Sequence, residues 1–485
     1  MRKRHIVGAL EERPETEERW TAFAALQLGL ILVTATAFAL TVLLTNESYD
    51  DAYISYRYAE HWAGGIGLKW NPQDPPVYGA SSVAHCFLLT IGKLIGIHPR
   101  AASVTIQVVS HAAMSALAFL LVAPSAGRWA ALGAGILTAV SLPNVFQGQG
   151  LEIEMYTALT LVALSLSIKQ KYWAAGLTAG LAMATRLDGA TIVGVVVISS
   201  LFDERRLSAA MRVIGGAAAP VCIWLVGTTL YFGSPLPQSM WAKLASNWPP
   251  PFRIYGIFEL WAGEPIIAMC LPFAVIGAAA CAIHRERVIV LWLAMYLCAY
   301  RFSGMPSYGW YYPPAMTAIY VLTFMGMSEL VQLARRFQHA PVLFGILVFV
   351  VSLFVMVSKG VAGPVRAAWA GAPQPSSPHI AAAKWLKENA DDGDRVLAYE
   401  IGKIGYVSGL YVIDMFGLVS PDVLPYLSAG GFTEVIRKTR FDYAFVLTER
   451  NVLPTDQTFR TVWTSENEEY RIVVREEAVP AGSAG

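Results

Sequence analysis

The 485-residue chain is 55% hydrophobic and 15% charged, with a mean hydropathy of +0.47, which leaves too little polar surface to cover a soluble body of this size. A polytopic, α-helical membrane protein is expected. The net charge of +1 supplies no basic surface for a phosphate backbone, so nucleic acid is not an expected partner.

The chain opens with Arg2, Lys3, Arg4, Arg13 and Arg19, and residues 1–20 are expected to form a cytoplasmic tail because Lys and Arg concentrate on the cytoplasmic side. The tail is too charged for a cleaved signal peptide, and no small-residue cleavage site ends the apolar block after it, so a signal anchor is expected. Apolar runs of spanning or near-spanning length follow at 21–45, 80–96, 101–122, 129–147, 155–168, 172–184, 190–202, 212–232, 265–283, 288–300, 313–334 and 341–358. Arg205, Arg206 and Arg212, then Arg285 and Arg287, then Arg335 and Arg336 mark further cytoplasmic loops. The stretches 46–80, 233–264 and 301–312, and everything after the last span, then face outward. Parity requires that one apolar block between 80 and 203 fail to cross. The run 129–147, interrupted by Pro143 and Asn144, is the expected broken or re-entrant segment. About eleven crossings result.

This places a transmembrane domain at 21–360, with a first outer loop at 46–80. A Pro/Ser/Gly linker at 361–378 leads to a small soluble α/β domain at 379–485 on the outer side. Within that domain HIAAAKWLKENA has helical spacing, whereas RVLAYE, YVIDMFG, DYAFVL and YRIVV read as strands. The five cysteines, Cys86, Cys222, Cys270, Cys281 and Cys298, show no metal-ligand spacing.

The chemistry concentrates after the first span. Asp50 and Asp51 head an aromatic-rich helix with Ile54, Tyr58 and Trp62 on one side and Tyr53, Arg57 and Glu60 on others, a pattern suited to the interface plane. Paired carboxylates at a membrane boundary are costly unless they act on something. One serves as a candidate general base, and the other as an orienting group. Asp50 and Asp51 are also candidate ligands for a divalent cation such as Mg, Mn or Ca. Helix capping by one of them is the plain alternative. The outward stretches further collect Glu152 or Glu154, Arg186, Asp188, Lys243, Arg253, Glu264 and Arg301. Arg186, Lys243 and Arg301 are candidate phosphate ligands. Arg186 and Asp188 equally suit a neutralised pair joining two half-helices. Tyr53, Arg57, Glu152, Glu154 and Asp188 are candidate substrate- or cation-binding residues. The aromatic run Tyr308-Gly-Trp-Tyr-Tyr-Pro-Pro314 reads as an interface belt, and Glu400 and Asp414 stand at strand ends.

The pattern DDAYISYRYA, a Gly-rich turn with GLKWNP, then YGASS, resembles the first-loop signature of bacterial GT-C glycosyltransferases of the arabinofuranosyltransferase B-like and protein-mannosyltransferase-like kinds. GLEIEMY at 150–156, TRLDG at 185–189 and YFGSPLPQSMWAK at 231–243 resemble later elements of the same family. Glu152 and Glu154 flank Ile153 where the family pattern has one acid, so both stay candidates. The resemblance implies a GT-C fold and transfer of a sugar from a polyprenyl-phosphate donor to a hydroxyl of a cell-envelope glycan, lipid or protein. Asp51, with Asp50 second, would be the base. A transporter or flippase for a lipid-linked saccharide is the competing expectation, and it calls for repeated halves with matching broken helices, which this chain does not echo.

Overall fold

A computed structural model describes residues 13–245, 265–303, 308–337, 377–450 and 452–476, with helical positions 345, 350 and 352. The start of the N-terminal tail, the loop section holding Arg253 and Glu264, the rest of the run 341–358 and most of the linker lie outside the described residues.

The apolar runs become a helical body: α1 (Arg13–Thr45), α3 (Val83–Leu94), α4 (Pro99–Ala126), α5 (Arg128–Ala139), α7 (Ile153–Ile168), α8 (Tyr172–Thr185), α9 (Ala190–Ser200), α10 (Arg206–Phe232), α12 (Pro265–Cys281), α13 (Arg287–Phe302) and α14 (Pro313–Phe337). Among the described residues four stretches, Ala22–Thr45, Pro99–Ala126, Arg206–Phe232 and Pro313–Arg336, are long and apolar enough to cross a bilayer alone. Local chemistry sets their ends. Proline occupies the first turn of α4, where its missing N–H costs nothing. Gly233 takes a left-handed conformation (φ 73°) after α10. Where helices meet without a hydrophobic driving force, small residues let backbones approach. Gly176 of α8 lies against the Val213 carbonyl of α10, and Gly277 of α12 lies against Gly326 of α14. The run 129–147 is broken as expected: α5 ends at Ala139 and a short α6 (Leu142–Phe146) follows. Asn144 is buried there and donates to Thr317 Oγ1 at 3.2 Å.

The soluble domain is a five-stranded mixed sheet in the order β2-β1-β3-β5-β4, built from β1 (Arg395–Ala398), β2 (Tyr411–Asp414), β3 (Tyr443–Leu447), β4 (Phe459–Thr464) and β5 (Tyr470–Arg475). β1 runs parallel to both β2 and β3, and β5 is antiparallel to β3 and β4. Helices α15 (Pro378–Asn389), α16 (Gly402–Ser408) and α17 (Leu424–Lys438), the last kinked at Gly430-Gly431, accompany it. The strand β4 is absent from the sequence reading, because its residues alternate poorly and are mostly exposed or half-buried.

The helix α2 (Asp50–Ala63) departs from expectation. It does not lie at an interface with one face wet, because all residues from Ala52 to Ala59 are buried. The soluble domain covers it, and one apolar core runs through both: Ile54, Tyr58 and Trp70 pack with Ile404, Val412 and Phe445. Arg57 is the clasp. Its guanidinium donates to the carbonyls of Trp70 (2.8 Å), Leu410 (2.9 Å) and Gly405, and sits 4.5 Å over the Trp70 ring. Beside it the Asn71 amide pairs with both backbone groups of Val412, donating to its carbonyl and accepting from its N–H, each at 3.1 Å. This closes the edge strand β2 as a further strand would.

Replacing Arg57 by Met leaves buried carbonyls unpaired and is expected to cost about 2–3 kcal/mol. The soluble domain should then detach before the helical body melts, read as earlier protease cleavage in the linker 361–378 at a given temperature.

Candidate active site

α2 starts at an N-cap, Tyr49, whose side chain makes no capping bond, so neither aspartate caps its own helix. Both lie in the first turn, where the helix dipole favours negative charge. Their surroundings then separate them. The Asp50 carboxylate reaches the soluble domain and accepts the backbone N–H groups of Gly402 (2.7 Å) and Lys403 (2.8 Å) at the start of α16. Asp51, one residue on, points into a cavity of about 890 Å³ between the helical body and the soluble domain. No hydrogen bond to its carboxylate is found among the described residues. Burial of the site in protein lifts the Asp51 carboxyl from 3.8 to about 7, Asp50 adds to the lift, and Lys243 opposes it.

The same cavity gathers Glu152, Arg186, Asp188 and Lys243. Arg186 follows α8 in extended conformation, just before a 3₁₀ turn at Leu187–Gly189. Its guanidinium spans two acids, donating to Glu152 Oε1 at 2.8 Å and to Asp188 Oδ1 at 3.1 Å. Tyr300 also donates to Asp188. Lys243, on α11 (Gln238–Ala245), donates to Tyr311 Oη at 3.0 Å and lies 5.6 Å from the Tyr308 ring.

Other expected site residues sit elsewhere. Glu154 is turned away from the cavity into a buried bond from Gln107 Nε2 (3.1 Å), so of the two acids around Ile153 only Glu152 faces the cavity. Tyr53 packs against Tyr56 and Tyr406, and Arg57 is spent on the clasp; neither lines the cavity. Arg301 lies over Phe302, 5.6 Å from its ring, also outside the lining. Among the described residues no group of three or more His, Cys, Asp or Glu side chains is placed to hold a metal ion. Both Asp50 oxygens are committed to amides, which leaves Asp51 as the side chain of the pair with open oxygens.

The run Tyr308–Tyr311, read as an interface belt, instead walls the cavity: Tyr308 and Trp310 stack with centroids 4.3 Å apart. The outer wall comes from the soluble domain and includes Tyr399, Glu400, Phe416, Phe432 and Arg450. Except for Glu400 these were not singled out in the sequence. The available signal was position: Tyr399 and Glu400 follow the carboxyl end of β1, and Phe416 follows that of the parallel neighbour β2, the place where open α/β sheets present binding groups. Asp414 itself is buried and accepts the amides of Phe416 (2.8 Å) and Leu418 (2.5 Å), which shapes that loop.

The chain matches solved structures over most of its length. The protein has the GT-C fold. The oligosaccharyltransferase of Archaeoglobus fulgidus in the apo form is 13% identical, with 87% of this chain and 70% of that chain covered and a TM-score of 0.58. ArnT from Cupriavidus metallidurans in the apo state is 15% identical over 94% of this chain and 98% of that one, TM-score 0.57; it has also been solved bound to undecaprenyl phosphate. Arabinofuranosyltransferase AftD from Mycobacteria is 14% identical over 92% of this chain but 41% of its own, TM-score 0.55. At sequence level, residues 369–480 match a domain of unknown function, DUF8728. No curated protein matches the sequence. The GT-C chain is thus a membrane protein carrying a C-terminal α/β domain.

Replacing Arg186 by Met leaves Glu152 and Asp188 as buried, uncompensated carboxylates and is expected to cost about 3–5 kcal/mol. Arg186→Lys should recover only part of it, because one ammonium cannot fork between two acids; thermal unfolding in detergent compares the three proteins.

Proposed function

We propose that this GT-C protein transfers a sugar from a polyprenyl-phosphate donor to an acceptor hydroxyl of a cell-envelope glycan, lipid or protein at the outer face of the cytoplasmic membrane. One observation carries the reading: Asp51, with an open carboxylate lifted to about 7, shares a cavity with Arg186 and Lys243. A general base works best with a pKa near the working pH, and two cations in the same cavity suit a phosphate leaving group. That ArnT, of the same fold, was solved with undecaprenyl phosphate supports the donor class.

The reaction would be a single displacement. Asp51 takes the proton from the acceptor hydroxyl as its oxygen attacks the anomeric carbon. The bond from that carbon to the phosphate oxygen breaks, and the electron pair leaves on the phosphate. Charge grows on the phosphate during this step, so Lys243 and Arg186 stabilise the transition state more than the ground state. Asp50 acts at one remove. By fastening α16 to the first turn of α2 it fixes the backbone that aims Asp51. Of the pair expected to hold a divalent cation, Asp50 is held by amides, so Asp51 would be the ligand, and the cation would add positive charge beside the leaving phosphate.

Purified protein in nanodiscs, offered a panel of radiolabelled polyprenyl-phosphate sugars, should consume one donor. Asp51→Asn should lower turnover by about 10³-fold or more while the fold persists. In the wild type the rate should rise with pH through about 7 as Asp51 loses its proton, and this acid limb should vanish in the variant. Lys243→Met should slow turnover by about 10²-fold, and activity that survives a chelator would remove the cation. Donor crossing the bilayer without transfer would sink the enzyme in favour of a carrier.

A further inference from the structure

The soluble domain's cavity wall has a chemistry the displacement does not use. Tyr399, Phe416 and Phe432 form a closed cluster, with ring centroids 4.9, 5.4 and 4.8 Å apart. Each is half-buried and lines the cavity. The Arg450 guanidinium lies 5.2 Å over the Tyr399 ring and helps to hold it. Glu400, the next residue, has one oxygen against His379 Nε2 and lines the same cavity as Asp51. From the membrane side the Tyr308–Trp310 stack lines the same cavity as Asp51 and Tyr399. The aromatic wall therefore stands beside the base rather than at a remote surface.

We propose that this wall is the acceptor subsite and that the acceptor it takes is a saccharide, an inference that rests on the transferase reading above. A sugar ring has an apolar C–H face, which packs on aromatic rings, and a rim of hydroxyl donors. Carboxyl oxygens accept hydrogen bonds, so Asp51 and the Glu400 oxygen not held by His379 match that rim. A hydrocarbon chain in the same place would strip water from both carboxylates without replacing its bonds, at a cost of several kcal/mol. The stacked sugar presents one hydroxyl to Asp51, and the anomeric carbon of the donor arrives from the side of Lys243 and Arg186. The soluble domain is then the part that selects the acceptor.

The test uses the full-length protein in nanodiscs with undecaprenyl-phosphate-linked donor and three acceptor probes: short neutral oligosaccharides, a Ser/Thr-containing peptide and a glycerolipid. Transfer to oligosaccharide is expected. Tyr399→Leu and Phe416→Leu should each raise the acceptor KM by about tenfold, with kcat at saturating acceptor and undecaprenyl-phosphate binding held. Tyr399→Phe, which keeps the ring, should restore the affinity lost in Tyr399→Leu. Transfer confined to peptide or lipid, or Leu variants that leave the oligosaccharide KM unmoved, would overturn the saccharide subsite while the transferase reading stands. Leu variants that lower kcat and donor binding together would show the wall to be structural and also overturn it. A wild-type protein that fails to bind undecaprenyl phosphate would overturn the transferase reading itself, and this subsite with it.

Discussion

The carboxylate of Asp50, held by the Gly402 and Lys403 amides, is the contact on which the rest of the site depends. It joins the first turn of the outer-loop helix to the first turn of a helix in the soluble domain, across more than 350 residues of chain. Once that bond is made, Asp51 is left facing the space between the two domains. A buried carboxylate satisfied by backbone amides is worth more than the same group in water, and it is costly to leave unmade. The aspartate pair is therefore divided: one residue builds the cavity and the other is exposed to it.

Around that bond the soluble domain behaves as part of the helical body. The core that buries Val396, Val412 and Phe445 is continuous with Ile54 and Trp70 of the first loop. Arg57 and Asn71 satisfy backbone groups on the domain that would otherwise face water or another chain. A surface that carries its own hydrophobic core and its own edge pairing does not swing freely. This rigidity suits the proposed displacement, in which an acceptor hydroxyl must meet the anomeric carbon of the donor within a fraction of an ångström.

On the membrane side, the charge of the site is nearly all internally compensated. Arg186 is shared between Glu152 and Asp188, with Tyr300 donating to Asp188 as well. Such a network lowers the cost of keeping ionised groups at membrane depth. It also holds a cation in a fixed position, as transition-state stabilisation requires. In this arrangement, the plain reading of Arg186 and Asp188 as a neutralised pair and the catalytic reading do not compete.

The sequence by itself determined the membrane class, the order of the apolar helices, the interruption of the run 129–147, the soluble domain with four of its five strands, and the aspartate pair at the head of α2. Those are one-dimensional properties: hydropathy over a bilayer thickness, proline in a helix, alternation along a strand. It did not separate Asp50 from Asp51 or Glu152 from Glu154, nor show that Tyr53 and Arg57 point away from the site, because neighbouring residues on a helix differ only in what packs against each face. It placed Tyr308–Tyr311 in a lipid interface for the same reason, since aromatic residues suit a headgroup layer and a cavity wall equally well. Tyr399, Phe416 and Phe432 come from β-loops and a helix that are distant along the chain and meet only when the sheet forms and docks. Tertiary structure alone decided those questions, because the identity of a site lies in which surfaces are brought face to face.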